Sequence, residues 1–134
     1  MIRKILAVLA GFVIWSALWF AANAALAATG MLPQPGMAVT DGDVLTLLLA
    51  SSAVASLVAG FSTSWLSRTP GHKAALWCGL LLLAVGVAVQ AQYWSLMPVW
   101  YHMAFLLLLV PMCLVGSRMR HNSFSKRTPR HGAD

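Results

Sequence analysis

Five polar side chains stand out in an otherwise apolar chain: Asn23, Asp43, Gln90, Gln92 and His102. An imidazole can act as a base or a metal ligand near neutral pH, a carboxylate suits hard cations, and amides bind neutral polar groups. Asp41, Asp43 and His102 would form the metal set, yet the paired-histidine or cysteine spacing of structural metal sites is missing. Helix capping by Thr40, Asp41 and Asp43, with His102 bonded to Gln90 or a water, accounts for the same residues without a ligand. Cys78 and Cys113 are the two thiols, without a C-x-x-C arrangement, and read as structural neighbours at matching depth. No serine has an identifiable base partner and no glycine-rich phosphate loop occurs, so neither an enzyme nor a cofactor site is expected.

Two further patterns concern contact rather than reaction. Ser52, Ser56, Gly60 and Ser64 recur at four-residue spacing, with Ala55, Ala59 and Thr63 on the adjoining face, and Gly79 and Gly86 stand two turns apart. Such stripes let helix backbones approach closely in lipid, inside one bundle or between copies. Ala17, Ala21 and Ala25 form a similar stripe. Gly11, Trp15, Trp19 and Asn23 share one helix face, with Trp15 too deep for an interfacial belt. Each indole N–H in hydrocarbon needs a partner, so that face is expected to turn inward; it would also make an aromatic wall for a lipid tail or small apolar ligand.

The elements that must position these groups follow from hydropathy. Of 134 residues, 60% are hydrophobic and 9% charged, at a mean hydropathy of +0.77, against about 25% charged in a soluble domain. The uncharged stretches Ile5–Thr40, Val44–Ser67 and Ala74–Ser117 each exceed the about 20 residues that cross a hydrocarbon core. The last would be about 66 Å long as one helix and must fold back, at the polar and interfacial run Gln90–Pro98. The expected fold is an all-α membrane protein: a four-helix antiparallel bundle with spans at about 5–28, 44–66, 74–92 and 97–117. Gly30, Pro33, Pro35 and Gly36 make the first connection irregular, with Met31, Leu32, Met37 and Val39 resting on the membrane surface. Pro70 and Gly71 mark a tight second turn.

Arg3, Lys4, Arg68 and Lys73, and the five basic residues of segment 118–134, all fall on one side of these spans. The basic side is the cytoplasmic one, which places both termini inside and residues 29–42 outside. Arg3, Lys4 and Ala25-Leu26-Ala27 imitate a cleavable signal peptide, but the apolar run is too long for one. No Asp, Glu, Lys or Arg lies within a span, which disfavours ion-coupled transport. Segment 118–134 is too polar to pack and is expected to be a disordered tail, with Arg118, Arg120, Lys126, Arg127 and Arg130 attracted to anionic lipid. The net charge of +6 is a topology signal and implies no nucleic-acid partner.

The opening Arg3-Lys4-Ile5-Leu6-Ala7-Val8-Leu9-Ala10-Gly11, with Val58-Ala59-Gly60, His72-Lys73-Ala74-Ala75 and Met97-Pro98-Val99-Trp100, resembles small four-span proteins of bacterial inner membranes. The resemblance covers residues 1 to about 120. It implies an inner-membrane, four-helix bundle and carries no activity and no site residues. The functional expectation is a non-enzymatic multi-pass protein that packs against itself or another membrane protein through the span-two stripe. The alternative is an oligomeric channel or facilitator for a small neutral or lipophilic compound.

Overall fold

The computed structural model describes residues 1–68 and 72–126 and contains four helices: α1 (Ile2–Ala28), α2 (Gly42–Ser67), α3 (Lys73–Gln92) and α4 (Val99–Ser125). All four are long and apolar enough to cross a membrane. Their local ends follow from sequence. Asp41 caps α2, its carboxylate accepting from the Asp43 amide at 2.9 Å, and Pro98 precedes α4 in extended conformation, where its missing N–H costs nothing. Pro70 and Gly71, expected to form the second turn, lie outside the described residues.

The helices form a rhombus in the order α1, α2, α4, α3. Helix α2 meets all three others, whereas the backbones of α1 and α4 do not meet among the described residues. The α2–α4 pair is built from Leu57 against Gly116, Gly60 against Cys113 and Ser64 against Ser117. The approach is reciprocal: a Cβ at Gly60 would overlap the Cys113 carbonyl oxygen, and one at Gly116 would overlap that of Leu57. Glycine on both sides lets each backbone press on the other, which is the close packing that associates helices in lipid. Gly11 plays the same part between α1 and α2, where a Cβ would collide with the Thr63 side chain and lie 3.2 Å from the Ala59 carbonyl.

Large side chains fill what the glycines leave. Leu45, Leu48, Leu82, Tyr101, Phe105 and Leu109 are essentially fully buried between the helices. Helix α1 is the least enclosed element, burying only Ala7, Gly11 and Trp15, and its outer face remains for lipid.

Two sequence expectations change here. The first connection does not simply lie on the membrane surface: the Val39 amide donates to the Leu96 carbonyl at 2.8 Å, Val39 is buried and Leu32 packs on the core, while Met31 and Met37 stay exposed. The loop is thereby tied to the α3–α4 turn. The basic tail also begins later than its polarity suggests, because α4 continues through Ser125. Arg120 donates to the Ser64 carbonyl near the end of α2, and its guanidinium sits 5.4 Å above the Phe124 ring. Those contacts hold residues 118–125 helical. Arg120 is thus engaged with protein, Arg118 and Lys126 are exposed, and Arg127 and Arg130 lie outside the described residues.

Candidate binding groove between α1, α3 and α4

The indole face of α1 turns inward, as its buried N–H requires. Trp15 donates from Nε1 to the Ser56 hydroxyl at 3.0 Å, and Ser56 donates to the Ser52 carbonyl at 2.8 Å. Trp19 stacks on Trp15 at 5.6 Å, and both meet Phe105 edge-on, at 5.3 Å for Trp19 and 6.3 Å for Trp15. These three rings bridge α1 and α4 where the backbones stand apart. Edge-to-face rings contribute about 0.5–1.5 kcal/mol per pair beyond their burial.

Beside that wall a groove of about 520 Å³ runs between α1, α3 and α4, within the roughly 300–1,000 Å³ of small-molecule sites. Its apolar part includes Phe12, Trp19, Val85, Val89 and Phe105, and at one end stand Asn23, Gln90, Gln92 and Tyr93. The polar end is neutral. Asn23 donates from Nδ2 to the Trp19 carbonyl at 2.8 Å, which leaves its amide oxygen as an acceptor. Gly86 is there because a Cβ would lie 2.9 Å from a Leu109 methyl, so α3 and α4 close tightly beneath the groove floor.

Behind the groove, the expected His102–Gln90 contact is present: the imidazole Nδ1 pairs with Gln90 Oε1, both residues being buried. Since an amide oxygen only accepts, Nδ1 carries the proton and donates. The bond engages the Gln90 oxygen and orients its amide nitrogen. Trp94 stacks on the His102 ring at 4.8 Å, and Nε2 has no partner among the described residues.

The five polar residues therefore do not converge as one set. Asn23, Gln90 and Gln92 line the groove, His102 supports Gln90 from behind, and Asp43 stays exposed at the start of α2, outside the groove lining. Among the described residues no three His, Cys, Asp or Glu side chains come together in a way that could hold a metal ion.

The small-residue stripe is consumed within the chain. Ser52, Ser56, Gly60 and Ser64 are all buried: Ser56 receives Trp15, Gly60 receives α4, and Ser64 donates to Ser117 at 2.8 Å. Gly79 faces Val110 of α4 and Gly86 faces Leu109. The stripe is therefore packed against other helices of the same chain. Of its hydroxyls, Ser56 and Ser64 are bonded within the chain, whereas Ser52 Oγ is buried with no hydrogen-bond partner among the described residues. Cys78 of α3 and Cys113 of α4 are free and fully buried.

Several residues make contacts that the sequence does not signal. Gly116 and Ser117 complete the α2–α4 seam, and a small-residue search of span four would have found them. His72, which pairs with Ser117 through Nδ1 at 2.9 Å, and Arg3, which donates to the Leu66 carbonyl at 3.2 Å, meet residues 45 and 63 positions away. No local pattern encodes such pairs. No protein-family model, no curated protein and no solved structure matches this chain.

Proposed function

We propose that the protein is a non-enzymatic, four-span binding protein of a bacterial inner membrane, holding a lipophilic molecule with a neutral polar end in the groove between α1, α3 and α4. The observation that carries this reading is the groove itself, where an aromatic wall leads to uncharged amides and a phenol. Apolar walls with a few convergent polar groups are the usual form of a small-molecule site. A neutral head fits because no carboxylate, ammonium or guanidinium lines the groove, and an ion placed there would lack a counter-charge.

The proposed arrangement places both termini in the cytoplasm, with successive helices antiparallel and the groove in the outer half of the bilayer. The basic residues support that orientation. A facilitator for a lipophilic compound is the transport version of the same idea, and it would operate through this groove rather than through a pore of α2 hydroxyls. A protein partner would use an exposed apolar face, which every helix presents.

Photolabelling tests the reading. The full chain in lipid nanodiscs is irradiated with a C18 alcohol carrying a diazirine near its hydroxyl, and labelled positions are mapped by mass spectrometry. Labelling should concentrate on Asn23, Val89, Gln92 and Tyr93 and be displaced by excess plain C18 alcohol. Undisplaced labelling spread over all lipid-facing positions would refute the site.

A further inference from the structure

A second groove, of about 660 Å³, lies between the first turns of α1 and α3, at the opposite end of the bundle from Asn23 and Gln92. We propose that it is a site for one anionic phospholipid of the leaflet on that side. Its walls are apolar: Ile5, Val8 and Leu9 from α1 face Trp77, Leu80 and Leu81 from α3. Lys4 and Lys73 line the same groove, one from each helix, each at the first turn. An acyl chain lies along the apolar part while the two ammonium groups flank the phosphate.

Charge complementarity selects the headgroup. The only carboxylates among the described residues, Asp41 and Asp43, stand at the start of α2, and α2 runs from them toward the end where Leu66 meets Arg3. The neighbouring cation Arg3 donates to the Leu66 carbonyl and so points toward α2, away from this groove. Basic pockets between helices on one side of a membrane are a recognised way to hold acidic lipid headgroups. Trp77, one turn after Lys73 and 66% exposed, supplies the amphipathic ring suited to headgroup depth. This site is separate from the outer groove, shares no residue with it and takes a charged rather than a neutral head.

Native mass spectrometry of the detergent-purified full chain tests the proposal, with phosphatidylglycerol and phosphatidylcholine of identical acyl chains as probes. A 1:1 phosphatidylglycerol adduct should form with roughly thirtyfold preference over phosphatidylcholine, the value of two basic residues at a membrane surface. The double variant K4Q/K73Q should lose most of that preference. The variant R118Q/K126Q, which removes cations outside the groove, should keep it. Glycerol phosphate, which has the charge and no acyl chain, should not compete. Ile5→Trp, which fills the apolar part and leaves both lysines, should weaken both lipids; it also decides the matter if K4Q/K73Q does not fold. Equal binding of the two lipids, preference retained in K4Q/K73Q, unchanged binding by Ile5→Trp, displacement by glycerol phosphate, or a protein dimer in place of the lipid adduct would each overturn the site.

Discussion

Gly60 and Gly116 set how near α2 and α4 come, because each places bare backbone where any side chain would overlap a carbonyl of the other helix. Overpacking a close contact costs about 1–3 kcal/mol, so Gly60→Ala should destabilise the bundle by that order. Gly42, whose added Cβ meets nothing within 4 Å, should accept alanine with no loss. Unfolding in mixed micelles by added dodecyl sulfate, followed by circular dichroism, checks both. Equal stability of the two variants would contradict the seam. At this scale the sequence was legible where a residue type has one physical use: the buried indole of Trp15 had to find an acceptor, and His102 had to find Gln90 or a water. It was not legible for Asp43, since a carboxylate before a helix serves as well in a cap as in a site, and only the position of the groove separates the two.

The four helices were recoverable from hydropathy because a span must be about 20 apolar residues long and this chain interrupts its apolar runs with charge, proline and glycine. Pairing was not recoverable. All four spans carry small residues, and nothing local says that α2 packs most closely on α4 or that aromatic rings bridge α1 and α4. The end of α4 was missed for a related reason: composition cannot reveal that Arg120 reaches the Ser64 carbonyl. The α2–α4 register gives a direct prediction. In a chain with Cys78 and Cys113 changed to alanine, Ser64→Cys with Ser117→Cys should form an intramolecular disulfide under mild oxidation, since the two hydroxyls lie 2.8 Å apart. The product should run as a monomer on a non-reducing gel. Predominant dimers would mean that the stripe meets another copy after all.

For the molecule as a whole, the asymmetry of basic residues is the strongest statement about how it sits in a membrane, and the grooves are the strongest statement about what it holds. A periplasm-active reporter fused after Pro35 should be active, and the same reporter fused after Arg127 should be silent. The reverse pattern would invert the bundle and place the neutral groove in the inner leaflet. The indoles beside the neutral groove report directly on whether it is occupied. A chain with Trp65, Trp77, Trp94 and Trp100 changed to phenylalanine keeps only Trp15 and Trp19, of which Trp15 is 7% exposed and shielded from bulk lipid. Titrated in nanodiscs with a dibrominated C18 alcohol, its fluorescence should fall along a saturating curve, and Val85→Phe, which narrows the groove, should weaken that quenching at least severalfold. Quenching that rises in proportion to the alcohol in the membrane, and is unaltered by Val85→Phe, would contradict the account.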